Sequence, residues 1–262
     1  MKKICVYGKG GIGKSTTVSN LAAACAKMGY RVAVVGCDPK ADSTRNLMGR
    51  KIPSILSILH QGNPESIAHT GYLDVLCMES GGPQPATGCA GRGIVVAIEE
   101  IRKQKLLEGM DVVFFDVLGD VVCGGFATPL REDVADLVYI VTTSDFMSLY
   151  AANNISRGIE KYAKTGGAKL GGIIHNGRSS VSNEALVSIV AKKINTQVVG
   201  YVPMSQEISR AEVQRKTVIE FAPESQAARA FFDLAVKLTE GTMETIPTPM
   251  TDDVLEEICL TF

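Results

Sequence analysis

The chain has 262 residues, 45% of them hydrophobic and 21% charged, a globular composition that excludes wholesale disorder. Lys+Arg total 27 against 28 Asp+Glu, so the net charge of -1 argues against capture of nucleic acid or an anionic membrane by bulk charge. The seven cysteines are an odd number without a preceding signal peptide, which argues against a closed disulfide framework and for a reduced, cytoplasmic chain, and no apolar stretch reaches the length of a membrane span.

Apolar runs that read as strands alternate with helical patterns. In chain order the strands are Lys3–Tyr7, Arg31–Cys37, Leu73–Met78, Asp111–Asp116, Leu137–Thr142, Leu170–His175 and Gln197–Val202. Between them, helical spacing predicts Lys14–Met28, Ser54–His60, Arg92–Leu107, Met147–Lys164, Glu184–Lys193 and Gln226–Thr239. The strands are continuously apolar rather than alternating, which predicts burial on both faces. The expected fold is α/β: a single doubly wound, mostly parallel sheet with flanking helices. No repeat or linker interrupts it, so residues 1–262 are expected to form one domain. The stretch 246–262, with two prolines and then acidic and apolar residues, is expected to be a tail packed on this subunit or on a neighbour. The Gly/Pro-rich piece Ser80–Gly93 reads as a shaped loop leading into a helix.

The first strand runs into Gly8-Lys9-Gly10-Gly11-Ile12-Gly13-Lys14-Ser15, which fits G-x-x-x-x-G-K-[ST] and opens a helix. Such glycines let backbone N–H groups cradle phosphates, and the helix N-terminus adds partial positive charge. Lys14 is expected on the β/γ-phosphates and the Ser15 hydroxyl on Mg²⁺. An apolar strand ending in Asp116 supplies the second acidic element of a P-loop NTPase. Lys9 makes this a deviant P-loop: in ATPases of that type the extra lysine reaches a partner's nucleotide across a dimer interface. A solvated lysine at a loop tip is the alternative.

Asp38 ends the second strand within Cys37-Asp38-Pro39-Lys40-Ala41-Asp42-Ser43-Thr44, where a carboxylate faces the ligand crevice of a doubly wound sheet. Asp38 could orient the attacking water and Asp42 could sense Mg²⁺, or either could cap the next helix. Phosphoryl transfer needs positioning, a metal and cationic groups, and Asp116, Asp120, Lys9 and Lys14 are of those types.

The cysteines divide by their neighbours. Cys5, Cys25, Cys37 and Cys77 read as core residues, and Cys259 lies in the tail. Cys89 and Cys123 are flanked by glycines, which lets backbone N–H groups approach an anionic ligand such as an iron–sulfur cluster. Two thiolates per chain become four at the axis of a symmetric dimer. Asp116 and Cys123 share one continuous segment, so a phosphate-sensitive shift at Asp116 or Asp120 could reach the cluster mechanically.

The motifs YGKGGIGKSTT, GCDPKADSTR, ESGGPQPATGCAGRG, DVLGDVVCGGFATPLRE, LYAANNISRGI and RKTVIEFAPES, in this order, closely resemble the nitrogenase iron protein family. The resemblance implies an ATP-dependent reductase: a homodimer bridged by one [4Fe-4S] cluster that couples MgATP hydrolysis to single-electron transfer. The acceptor would be a larger catalytic partner, a nitrogenase or a nitrogenase-like enzyme reducing a tetrapyrrole or a small sulfur compound. Ferredoxin or flavodoxin would be the donor. Cys89 and Cys123 are then the cluster ligands. Residues Gly8 to Thr16 (Gly8, Lys9, Gly10, Gly11, Ile12, Gly13, Lys14, Ser15 and Thr16) hold phosphates and Mg²⁺. The Asp38–Thr44 stretch, with Lys40 and Asp42, and the Asp116–Cys123 stretch are switches. Asn176 contacts adenine, with Pro203 in the same pocket. Arg92 matches an arginine that some members have ADP-ribosylated, and a docking or helix-start arginine is the alternative. Met204-Ser205 stand where the family usually has arginine-aspartate, Gln84 stands where glutamate is common, and the stretch from Arg50 to Leu73 is short. Two other classes share parts of the pattern. A dimeric P-loop ATPase for cargo positioning needs neither Cys89 nor Cys123, and an iron–sulfur assembly scaffold would carry a C-x-x-C pair.

Overall fold

The computed structural model describes residues 1–62, 66–82, 90–119, 124–178 and 182–262. Its strands are β1 Lys2–Tyr7, β2 Val32–Gly36, β3 His69–Thr70, β4 Leu76–Glu79, β5 Val112–Asp116, β6 Leu137–Thr142, β7 Lys169–Asn176 and β8 Val198–Val202. Its helices are α1 Lys14–Lys27, α2 Arg45–Met48, α3 Ile55–Gln61, α4 Ala90–Lys103, α5 Phe146–Ala163, α6 Glu184–Lys193, α7 Gln206–Val213, α8 Val218–Phe221, α9 Gln226–Glu240 and α10 Asp252–Thr261.

The strands form one sheet in the order β3-β4-β2-β5-β1-β6-β7-β8. Every pairing between these strands is parallel except β3 with β4. The mostly parallel, doubly wound sheet expected from the continuous apolar runs is therefore present. Alternate residues of one strand feed opposite cores. In β1, Cys5 and Tyr7 join the layer that holds Leu149 and Ile155 of α5. Ile4 and Val6 join the layer that holds Leu21 of α1 and Phe231 of α9. Covering both faces removes any polar alternation, which is why the strands read as unbroken apolar runs. Each fully buried side chain such as Phe114 or Leu21 contributes roughly 1.5–3 kcal/mol relative to exposure.

β1 lies between β5 and β6: the chain runs from β1 to β2 on one side and later crosses from β5 past β1 to β6 on the other. The crevice at the carboxyl end of β1 is therefore the ligand position of such a sheet. The glycines, Asp38, Asp116 and Asn176 all follow or end strands at this rim.

The expected strand Leu73–Met78 is displaced. Tyr72–Asp74 forms a 3₁₀ turn in which Leu73 and Asp74 have φ of 50° and 60°, and pairing starts only at Leu76. Left-handed backbone at two residues cannot continue a strand. α4 ends at Lys103 rather than Leu107, because turns follow it and Lys105 has φ 56°. The C-terminal stretch contains α10, which packs on α5 and α6. Asn153 of α5 exchanges two 2.9 Å hydrogen bonds with the backbone of Met250, and Arg157 pairs with Asp252 at 2.9 Å. No helix among the described residues is long and apolar enough to cross a membrane.

Candidate functional site

β1 ends at Tyr7 because the glycines that follow leave strand geometry; Gly11 and Gly13 have φ of 74° and 98°, left-handed backbone that suits glycine. The turn closes through Ile12 N–H to Lys9 O at 3.2 Å, and α1 begins with Thr17 N–H to Gly13 O at 2.9 Å. The first amides of α1 are thereby aimed at the crevice. Lys14 is buried, and its ammonium donates to the carbonyls of Gly8 (2.8 Å) and Lys9 (3.0 Å), so its position is set by the loop itself. Asn176, at the end of β7, donates through Nδ2 to Ile12 O at 2.8 Å. Arg178 donates to Gly11 O.

Asp116 ends β5 and is 2% exposed. Burial raises its pKa, while the hydroxyls of Ser15 and Ser43 and the charge of Lys14 pull it down and Asp38 pushes it up. Its Oδ1 is buried with no hydrogen-bond partner among the described residues. A carboxylate oxygen in that state, beside a serine hydroxyl and a lysine ammonium, suits a hydrated divalent cation on a phosphate. Asp38 is half-buried and accepts from Lys40 N–H at 2.8 Å, shaping the loop after β2.

These groups surround a cleft of about 770 Å³. Gly10, Gly11, Gly13, Lys14, Ser15, Thr16, Asp38, Lys40, Asp116, Asn176 and Pro203 line it, together with Arg178, Met204, Ser205, Gln206 and Glu212. Gly8, Lys9, Ile12 and Asp42 do not line it. Gly8 and Ile12 act through their carbonyls, and Asp42 is exposed on the neighbouring loop. Thr16 donates to Glu212, tying α1 to α7. Lys9 faces outward and pairs with Asp145 at 3.9 Å, with side-chain exposures of 41% and 56%. Partial burial pushes the Asp145 carboxyl up, but bonds from Thr143 and Ser148 and the Lys9 charge outweigh it and leave the pKa lowered.

Cys89, Asp120 and Cys123 lie outside the described residues, as does Gln84. The chain next to both cysteines is described. A Cβ at Gly125, two residues after Cys123, would collide with the backbone of Gly91, two residues after Cys89. The two segments thus meet backbone to backbone, an approach that glycine alone allows. Arg92, the next residue of α4, is exposed. Cys5, Cys25, Cys37 and Cys77 are core residues, and Cys259 is half-buried in α10. Burial pushes the thiols of Cys25 and Cys77 up to about 12, and those of Cys5 and Cys37 well above the ordinary value. Thiols so poorly ionised are poor metal ligands.

Two residues escaped sequence reasoning. Arg178 is adjacent to the flagged Asn176, and its positive charge beside a phosphate loop was a usable signal. Glu79 ends β4 at the same rim as Asp38, so the rule that singled out Asp38 applies equally to it. It is fully buried and accepts from Thr44 N–H (2.6 Å) and Thr44 Oγ1 (2.7 Å). Burial raises its pKa to about 8, moderated by those two bonds and reinforced by Asp116 and Asp42.

Residues 2–262 match the family model described as "4Fe-4S iron sulfur cluster binding proteins, NifH/frxC family". A nitrogenase iron protein of Methanococcus voltae is 50% identical over 265 residues, covering 98% of this chain and 95% of the relative. Among solved structures, the cell division ATPase MinD of Pyrococcus furiosus has a TM-score of 0.73 at 18% identity, over 91% of this chain and 98% of that one. The septum site-determining protein MinD of Pyrococcus horikoshii, complexed with Mg-ADP, has a TM-score of 0.70 at 21% identity, over 90% of this chain and 95% of that one. At these identities the structural likeness concerns the fold alone.

Proposed function

Because this chain belongs to the 4Fe-4S cluster binding proteins of the NifH/frxC family and is an ATP-hydrolysing reductase of the nitrogenase iron protein type, we propose that it works as a homodimer with one bridging [4Fe-4S] cluster. In this reading it passes single electrons to a larger catalytic component of nitrogenase or nitrogenase-like type. Cys89 and Cys123 of each subunit would hold the cluster. A bound cluster supplies a one-electron couple whose potential follows its charge, its hydrogen bonds and its exposure.

The observation that carries this reading is the convergence at one stretch of chain. Asp116 stands behind the phosphate loop, and Gly125, at the other end of the same stretch, stands against Gly91. This supports a reading in which the nucleotide groups and the segments that would bear the cluster are joined through the chain that follows Asp116. In that reading, Lys14, the loop amides and Thr16 hold phosphates, and Ser15 with Asp116 provides the Mg²⁺ position. Lys40 and Asp42 belong to the loop that senses the phosphates, and Asp38 orients the water. Asn176 and Pro203 face the base. Lys9 exchanges its weak pair with Asp145 for the partner subunit's nucleotide, and Asp120 relays the change toward Cys123.

The chain acts as one P-loop and iron–sulfur unit over residues 1–262, with 246–262 as its tail, in the cytoplasm, with ferredoxin or flavodoxin as donor. The cargo-positioning alternative draws only on the fold shared with the MinD structures, and the family match speaks against it. Replacement of the candidate ligands tests the assignment. Cys89→Ser and Cys123→Ser should each abolish the iron content of anaerobically purified protein and leave a folded dimer that binds MgATP. Full iron retention in either variant would remove that residue from the ligand set.

A further inference from the structure

The loop after β2 and the chain after β4 are joined at two points on the far side of the rim from the phosphate loop. The first is Glu79, the last residue of β4. Its Oε1 accepts both the backbone N–H (2.6 Å) and the hydroxyl (2.7 Å) of Thr44, the last residue of the Asp38–Thr44 loop. The side chain is fully buried, and two donors on one oxygen fix both partners. The second point is Gly82, where an added Cβ would stand 2.6 Å from Pro39 Cβ, so the backbone at 82 rests directly on the loop's second residue. Contact continues one layer further. A Cβ on Gly93, in the first turn of α4, would stand 2.7 Å from Gly81 O and 3.5 Å from Gly82 Cα. Backbone packed this closely has no room to slip, so a shift of Pro39 displaces the segment it touches.

We propose that Glu79 is a positioning residue that ties the Asp38–Thr44 loop to the chain leading into Cys89, giving nucleotide a second route to the cluster besides the Asp116–Cys123 stretch. Glu79 clamps the loop's end on β4 while Gly82 carries its movement to α4. The link between loop and chain rests on the contacts above, whereas its bearing on a cluster rests on the reading of Cys89 as a ligand. Spatial continuity alone does not establish coupling, so the test measures coupling itself.

Backbone hydrogen exchange is followed with and without MgATP in the native holoprotein and in the full-length Cys89→Ser variant. Peptides covering 38–44 and 76–82 report the two ends. The expected result is nucleotide-dependent protection in both peptides of the parent. In Glu79→Ala the response is lost from 76–82 while MgATP affinity changes by no more than about twofold, well below the loss of a nucleotide contact. Glu79→Gln, which retains an acceptor for Thr44, should restore the response. Thr44→Val should reduce it by about fivefold, the scale of one buried hydrogen bond, and non-additively with Glu79→Ala. Should Glu79→Ala fail to fold, Thr44→Val and Gly82→Ala decide the matter, since both act at the same two contacts. A parent with no nucleotide response in 76–82, or a Glu79→Ala response equal to the parent's, would overturn the proposal. Iron content of the holoprotein separates the outcomes: absent iron would remove the cluster reading, while the exchange data on the Cys89→Ser chain would still decide the link.

Discussion

The two sides of the phosphate loop are held in opposite ways. On the side facing β7, the loop carbonyls are met by donors: Lys14 on Gly8 and Lys9, Asn176 on Ile12 and Arg178 on Gly11. On the side facing β2 and β4, Glu79 and Ser80 each bury a side-chain oxygen without a partner among the described residues, and Asp116 Oδ1 is in the same state. An unpaired buried oxygen costs about 1–3 kcal/mol, so the first side is a finished cradle and the second is a set of groups whose energy depends on what lies next to them. A cradle binds, whereas a strained neighbour responds. In the proposed reading, the contrast separates the residues that would hold the nucleotide from those that would register its state.

The largest effect should come from the finished side. Lys14→Gln removes the buried ammonium proposed to reach the phosphates, and titration calorimetry should show MgATP affinity falling by about a hundredfold, the scale of charge-assisted hydrogen bonds. Unaltered affinity would mean that the contrast between the two sides is misdrawn.

A smaller effect should appear on the responsive side and should depend on pH. Burial moves the Glu79 carboxyl from 4.5 to about 8, so between those values the folded protein holds a proton that the unfolded chain has released. The folded state binds more protons, hence stability falls as pH rises through this window, and the loss is complete above the folded value. Glu79→Gln abolishes that titration. Comparing melting temperatures at pH 5 and pH 8, the variant should gain on the parent by roughly 3–6 °C at the higher pH, the equivalent of 1–2 kcal/mol for a chain of this size. An identical pH dependence in both would show that Glu79 is not the buried acid described.

The smallest effect belongs to Lys9 and Asp145. Their pair is long and exposed, so Asp145→Asn should change stability by no more than about 0.5 kcal/mol in denaturant melts. Lys9→Ala should be equally silent in the melt yet weaken ATP-dependent behaviour of the dimer. A marked loss of stability would make Lys9 a structural residue.

The phosphate loop was legible because its chemistry is local: glycines, lysine and serine at fixed spacing after an apolar strand define the backbone by themselves. The sheet was legible because burial on both faces leaves unbroken apolar runs. The place of Glu79 at a strand end was legible by the rule that picked out Asp38, but its role was not, since its partner Thr44 lies 35 residues away and the carboxyl is unusual only in the folded environment. α10 escaped for a related reason. Its position depends on Asn153 and Arg157, more than 90 residues earlier, which hold Met250 and Asp252. The turn at Leu73 and Asp74 carries no glycine or proline at its two left-handed positions, so nothing in the local sequence announces it.

Nucleotide at the phosphate loop should be felt at a cluster held by Cys89 and Cys123. The rate at which a chelator strips iron from the anaerobically purified dimer, with and without MgATP, tests it most directly. MgATP should clearly accelerate iron loss in the parent and not in Lys14→Gln, with both proteins holding about four irons per dimer at the start, as a four-cysteine cluster requires. Equal rates with and without MgATP in the iron-loaded parent would contradict it.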